Sequence, residues 1–491
     1  MKLRELAFAV RSGELSVVDH IEEVLKRLAG DRCNAVVLLL AEQAREQARV
    51  LADELAGGRW RGPLHGVAVA VKDLIDVAGV PTGCGSNVRR HAPVAAADAP
   101  VVARLRAAGA VVVAKTHTHE FAYGPTGDIA AQGPARNPHD PTRITGGSSS
   151  GSAAVVATGC VPFALGTDTG CSVRTPAALC GVLGLKPGLG RLSTEGVFPL
   201  SETCDHVGLL AADTHTAAVA YDILARPDAT GGGIQHPGIT GAVIGLPTDP
   251  YWRAADPVIA TAVRTAADHL ADAGARITEV STPGIEELAA TYRRIVGAEA
   301  YATHAADLAT RREDYQPLTA QRLLAAGNQS AHDYVDAQRA RRRLAARLRT
   351  HLAGVDVLLT ATTPIRATPV GAEETTVDGR PVQVRVALLS LTLPFNLTGW
   401  PAVSLPMPPS DGGLPAGVQL AGIRFEERAL LRVAAALETR QETRQETRQE
   451  TRPETRQKTR HETGRETRPE TRHETGQETR PETRQGTRPG T

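Results

Sequence analysis

Helix-patterned and strand-patterned segments alternate along this 491-residue chain, and that alternation narrows the folds open to it. Asp98 stands where it can cap a helix, with Pro100 in the first turn, Val101, Val102 and Leu105 on one side and Gly109 as the stop. Val111 to Val113 then reads as a buried strand. Asp256-Pro257 opens another helix, with Val258, Ile259, Val263, Ala266, Ala267 and Leu270 near one face, and Gly274 ends it. Arg276 to Val280 and Val355 to Leu359 read as further strands, and residues 292–352 are helix-rich and polar. A chain so patterned buries a sheet between helices, so the expected class is α/β with helices on both faces of the sheet. Aromatic residues are only 3% of the chain, so Ala, Val and Leu must build the core.

The last segment follows another rule. From about Glu438 a four-residue unit, ETRQ or a close variant, repeats to Thr491 without an aliphatic or aromatic side chain. It can bury almost nothing to offset the entropy of ordering. Pro453, Pro469, Pro481 and Pro489 interrupt any long helix, although a Glu–Arg helix before Pro453 is conceivable. The expected organisation is one domain over residues 1–437 and a disordered tail over 438–491.

A formal net charge of +1 provides no electrostatic case for nucleic acid or a membrane surface as a partner. No stretch reaches the roughly 18 apolar residues of a membrane span, and the amphipathic start MKLRELAFAVRSGELS lacks the apolar centre of a signal peptide. The six cysteines show neither C-x-x-C pairs nor the spacing of a zinc site or small disulfide scaffold. A reducing cytoplasm is the expected setting.

Three segments carry groups suited to chemistry. In the run His65 to Thr82, strand alternation places Val67, Val69 and Val71 on one face and Ala68, Ala70 and Lys72 on the other. A lysine among small apolar neighbours has room to be buried, and burial disfavours the ammonium, so such an amine can act as a base near neutral pH. The alternative is a strand-end lysine reaching water. The run Gly146 to Gly159 sets glycines and four serines before good helix formers, a loop that can present hydroxyls and N–H groups at a helix start. It lacks the phosphate-binding patterns G-x-x-x-x-G-K-[ST] and G-x-G-x-x-G. In Phe163 to Gly181 an apolar strand runs into Gly166-Thr167-Asp168-Thr169-Gly170-Cys171-Ser172, a turn able to expose a serine and aim successive N–H groups into one pocket.

Together these segments resemble the amidase signature family. Gly146, Gly147, Ser148, Gly151, Gly166, Asp168, Gly170, Ser172, Arg174 and Pro176 match its long glycine- and serine-rich signature, with a strand lysine upstream. The likeness runs on to Pro394–Gly399 and Gly417–Gly422. It implies a large central mixed sheet and hydrolysis of a small amide, with no metal and no organic cofactor. By position it implies Ser172 as nucleophile, Ser148 as a bridging serine on a non-proline cis peptide bond, and Lys72 as base. The backbone N–H groups of Thr169, Gly170, Cys171 and Ser172 would form the oxyanion hole. Ser149 would assist near the base, and Asp168 and Arg174 would brace the nucleophile loop. A homodimer is expected by analogy.

The chain departs from the family pattern in places. Cys171 and Ser150 replace usual glycines, Ala68 replaces a common proline, and His117 and Cys84 are unusual. If position 171 required φ > 0, Cys would cost about 1–2 kcal/mol there. Three rival readings remain open from sequence alone. The first is a metal-dependent hydrolase built on His117-Thr118-His119-Glu120. The second is the A component of a glutamyl-tRNA(Gln)/aspartyl-tRNA(Asn) amidotransferase, which frees ammonia from glutamine for a partner. The third is an inactive binding protein, disabled by Cys171.

Overall fold

The computed structural model describes residues 2–225, 238–253, 256–377, 379–424 and 426–450, with side chains to 441. Among them thirteen strands follow one another as β1 (Val36–Leu39), β2 (Ala68–Lys72), β3 (Val111–Thr116), β4 (Phe163–Thr167), β5 (Leu183–Lys186), β6 (Val207–Ala211), β7 (Val243–Pro247), β8 (Arg276–Val280), β9 (Val357–Ala361), β10 (Glu374–Val377), β11 (Arg380–Gln383), β12 (Ala402–Met407) and β13 (Ala416–Gly422). Eleven form one sheet in the order β1-β3-β2-β4-β6-β5-β12-β13-β9-β7-β8, while β10 and β11 make a separate hairpin. The sheet is mixed. Strands β2, β3 and β4 run parallel, as do β7, β8 and β9, and the other pairings are antiparallel.

Strand composition follows position. β2, β3 and β4 are buried at every residue, because helices cover the centre of the sheet on both sides. Ala68–Lys72 is a strand, as expected, and both of its faces are buried, so Lys72 has the room for burial that its small neighbours suggest. Each buried valine in these strands contributes about 1.5–3 kcal/mol. Edge strand β8 is instead half exposed.

Helix starts follow their caps. Ser16 accepts a hydrogen bond from the Asp19 N–H and opens Val17–Ala29, whose Val17, Ile21, Val24, Leu25 and Leu28 form the buried stripe. Asp256 caps Pro257–Asp272 through the Val258 N–H, as its sequence indicates. Asp98 does not cap. Ala99 is the cap residue of Pro100–Ala107, and Asp98 instead accepts from the Ala78 N–H and pairs with Arg106 at 3.0 Å. Strand β9 lies two residues beyond the apolar run Val355–Leu359. The helix-rich stretch resolves into Ile285–Thr310, Pro317–Ala326 and Ala331–His351.

A compact unit covers Met1–Thr443. The helix Glu427–Glu450 carries the chain through the first of the repeats, so the disorder expected from residue 438 does not begin there, and the rest of the expected tail, 451–491, lies outside the described residues. The early repeat is not idle. The Glu438 carboxylate accepts from the Thr214 N–H at 3.2 and 3.1 Å, at the start of helix Thr214–Ala225, and Arg440 donates to the Asp272 carbonyl at 2.7 Å. A chain ending at Leu437 should therefore be less stable than one ending at Thr443, by about 1 kcal/mol for the lost cap. Urea denaturation reads this as a lower midpoint at unchanged slope; coincident midpoints would show that Glu438 contributes nothing.

Candidate active site

Lys72 ends β2, an interior strand third from one edge of the sheet, and is wholly buried. Its Nζ is 2.7 Å from Ser148 Oγ and 2.8 Å from Thr167 Oγ1. The lysine thus points inward, and the alternative of a chain reaching water is excluded. Its surroundings differ sharply from those of Lys115 on the adjacent β3, which is just as buried but lies 2.8 Å from the Asp73 carboxylate. Lys72 has hydroxyls as hydrogen-bond partners and no carboxylate in contact. Burial pushes its pKa down to about 7, against the more distant pull of Asp168 and Asp205.

Ser148 follows a cis Gly147–Ser148 bond. Its carbonyl accepts from the His119 N–H at 3.1 Å. Ser149 locks the loop to the next strand, its hydroxyl donating to the Thr167 carbonyl and accepting from the Thr167 N–H, both at 3.2 Å. These bonds hold in place the loop whose preceding residue, Ser148, meets Lys72. Helix Ser150–Ala157 then leaves the loop, and a Cβ on Gly151 would collide with the Ala35 carbonyl and the His117 N–H.

Ser172 lies in the same buried region, and its carbonyl accepts from the Ser149 N–H at 3.1 Å. Its hydroxyl is 4.0 Å from Cys171 Sγ. Lys72, Ser148 and Thr167 thus form one hydrogen-bonded cluster, whereas no hydrogen bond joins the Ser148 and Ser172 hydroxyls among the described residues. The N–H groups of Asp168, Val173 and Arg174 are all engaged, with the His206 carbonyl or the Asp168 carboxylate. Those of Thr169, Gly170, Cys171 and Ser172, the four that the sequence points to, donate to no group among the described residues. Four adjacent free donors beside a serine are suited to receive a negatively charged oxygen.

Asp168 and Arg174 brace this loop from beneath. Both are fully buried, and they pair through two bonds, Nε to Oδ2 at 3.0 Å and Nη2 to Oδ1 at 2.9 Å. Arg174 also donates to the Thr392 carbonyl at 2.8 Å, Gln419 Oε1 at 2.7 Å and Asn396 Oδ1 at 2.6 Å. Asn396 Nδ2 returns bonds of 2.9 Å to the Asp168 carboxylate and carbonyl. Burial acts to raise the Asp168 pKa, but Arg174, Lys186 and Asn396 outweigh it and hold the acid well below the usual carboxylate range.

Several departures from the family pattern now have physical accounts. Cys171 is absent from the residues with positive φ, so its Cβ carries no backbone penalty. Its thiol is pushed up to about 12 by burial and the nearby Asp168, which leaves it protonated and a poor nucleophile. Ser150 and His117 compensate one another, with Oγ and Nδ1 2.8 Å apart. The His117 Nε2 lies 2.8 Å from the Gly133 carbonyl, so both ring nitrogens are occupied and the H-x-H pair is not arranged as metal ligands. No group of three or more His, Cys, Asp or Glu able to hold a metal occurs among the described residues.

Sequence reasoning does not single out Thr167, Asn396 or Gln419. Thr167 is the last residue of the apolar strand β4, and its alternation with Leu165 is the available signal. Asn396 and Gln419 lie in stretches included in the resemblance, but nothing local shows that they meet Arg174.

The family profile described as Amidase matches residues 19–431. The chain is 38% identical over 452 residues to AtzE, a component of the 1-carboxybiuret hydrolase of Pseudomonas sp. strain ADP, covering 89% of this chain and 98% of that one. It is 36% identical over 466 residues to the A component of the glutamyl-tRNA(Gln) amidotransferase from Symbiobacterium thermophilum, covering 87% and 94% respectively. A crystal structure of an amidase superposes with a TM-score of 0.83 at 38% identity, covering 90% of this chain and all of that one, 100%.

Removing one partner of the buried Asp168–Arg174 pair leaves an uncompensated charge. Arg174→Met should cost about 3–5 kcal/mol of folding stability, measured by chemical denaturation. A loss below about 1 kcal/mol would place the pair among ordinary surface ion pairs.

Proposed function

The chain belongs to the amidase family, a hydrolase of amide carbon–nitrogen bonds, and on that premise we propose that Lys72, Ser148 and Ser172 are its base, relay and nucleophile. The observation that carries the reading is the 2.7 Å contact between a buried, carboxylate-free Lys72 and Ser148. Uncharged Lys72 accepts the Ser148 proton, Ser148 accepts that of Ser172, and the Ser172 oxygen attacks the amide carbonyl. The Ser172 hydroxyl turns toward Ser148 about a single side-chain bond to complete the path, an alignment that tightens when substrate is seated. The N–H groups of Thr169, Gly170, Cys171 and Ser172 hold the resulting oxyanion, each worth about 3–4 kcal/mol in comparable sites. Returned along the same path, the proton goes to the leaving nitrogen, which departs as ammonia or an amine. Water then attacks the acyl-serine and releases the carboxylic acid.

The likeness to the A component of the amidotransferase favours a second reading, in which the chain releases ammonia and works with a partner. The two separate on one assay. Ammonia release from simple amides by the isolated chain supports a free-standing amidase, whereas glutaminase activity that appears only with a co-purifying partner supports the amidotransferase component. For its setting we propose a small amide as the partner molecule, a homodimer as the assembly and the cytoplasm as compartment. All six cysteines are unpaired and five are buried, which fits a reducing environment. No helix among the described residues is long and apolar enough to cross a membrane.

The reading predicts a pH profile. The working form of Lys72 is the neutral amine, so kcat/KM should rise with pH through about 7, the value to which burial lowers the amine, and then level off. Two pH units below that midpoint about 1% of the plateau remains. Ser172→Ala should abolish turnover, and Lys72→Ala should lower kcat/KM at least about 10³-fold in protein of unchanged fold. Near-normal turnover in Lys72→Ala would refute the relay.

A further inference from the structure

A cavity of about 590 Å³ lies beside the candidate active site, and Arg322 and Arg385 line it. Neither guanidinium forms a hydrogen bond or ion pair with any described residue. Arg322 Nη1 and Arg385 Nε are both shut off from solvent with no partner. Buried polar groups are ordinarily satisfied, and an arginine has five donors to place. The Arg385 guanidinium rests over the Tyr123 ring at 5.6 Å, which orients it without satisfying its donors. Burial and the adjacent Arg385 push the Arg322 pKa down to about 10.

The carboxylates on the same wall do not answer this demand. Glu373 and Glu374 are exposed, and Asp128 accepts from the Gly371 N–H at 3.1 Å while its other oxygen is unpartnered. None hydrogen-bonds to either arginine; Asp128 and Glu373 favour the Arg322 cation only at longer range, and burial and Arg385 outweigh them.

The cavity adjoins the reacting groups by two routes. Thr126 on its wall contacts the His119 ring at 3.4 Å, and the His119 N–H donates to the Ser148 carbonyl at 3.1 Å. Arg385 belongs to helix Val384–Ser390, one turn before Leu389 on the same face. Leu389 and Tyr292 close over Gly170, where a Cβ would lie 3.0 Å from Leu389 Cδ2 and collide with the Tyr292 hydroxyl. One helical turn is about 5.4 Å, so Arg385 stands within side-chain reach of the oxyanion loop.

The geometry points to an anion subsite: the amide substrate carries a carboxylate several bonds from the scissile bond, and Arg322 and Arg385 hold that carboxylate while the amide lies at Ser172. This rests on the reading of Ser172 as nucleophile. It narrows the substrate class to short amido acids, for which a paired guanidinium site offers charge-assisted bonds that a neutral amide cannot make.

Binding tests this separately from turnover. Calorimetry on the Ser172→Ala protein would compare succinamate, glutaramate and adipamate with butyramide, valeramide and hexanamide. At least one acid should bind about tenfold or more tightly than its neutral counterpart. That ratio should collapse toward one in both Arg322→Gln and Arg385→Gln, with Arg385→Lys retaining part of it. Equal affinity within every pair, or a preference that survives both Gln variants, would overturn the subsite. Failure of the wild-type chain to release ammonia from any amide would instead fall on the hydrolase reading and leave the binding result to be judged by itself.

Discussion

The site depends on one unfavourable arrangement: an amine buried at the end of an interior strand with hydroxyls, and no carboxylate, for contacts. A lysine taken out of water either finds a negative partner or gives up its proton. Lys115 illustrates the first outcome beside Asp73. Lys72 illustrates the second, lowered from 10.5 to about 7 by desolvation, a displacement equivalent to about 5 kcal/mol. The sheet pays that cost through the continuous apolar runs of β2, β3 and β4, which bury every neighbour of the amine.

The Ser172 loop presents the opposite electrostatic problem. Four N–H groups must stay free while the backbone around them stays still. The structure places a buried ion pair directly beneath, and Arg174 extends it to Thr392, Asn396 and Gln419 on segments far along the chain. A loop held this way keeps its donors aimed before any substrate arrives, the condition under which such donors are most effective. The unpaired arginines Arg322 and Arg385 stand apart from this network and line the neighbouring cavity.

Much of this is legible in the sequence, for reasons that can be located. Val111–Val113 and Arg276–Val280 are apolar or alternating runs bounded by glycine, so strand period and turn chemistry agree. Lys72, Ser148 and Ser172 stand out because glycines and serines are spaced as in a long signature. Asp98 reads as a helix cap only because its competitor, the Ala78 N–H, arrives from a separate loop. Asn396 and Gln419 are unremarkable for the same reason: their importance arises only when strands distant in sequence become neighbours. Ser150 and His117 look like two unrelated departures until the structure sets their side chains 2.8 Å apart. Composition puts the domain boundary at residue 437, whereas Glu438 and Arg440 bond back to the compact unit by means that composition does not register.

The central claim is that the Lys72 amine is largely uncharged slightly above neutrality. The chain has only six lysines, so side-chain NMR of protein labelled at lysine can follow each through a pH titration, with Lys72→Met assigning the resonance. The account predicts a midpoint about 7 for Lys72. A Lys72 signal that stays that of an ammonium until about pH 10, the ordinary range for lysine, would contradict it.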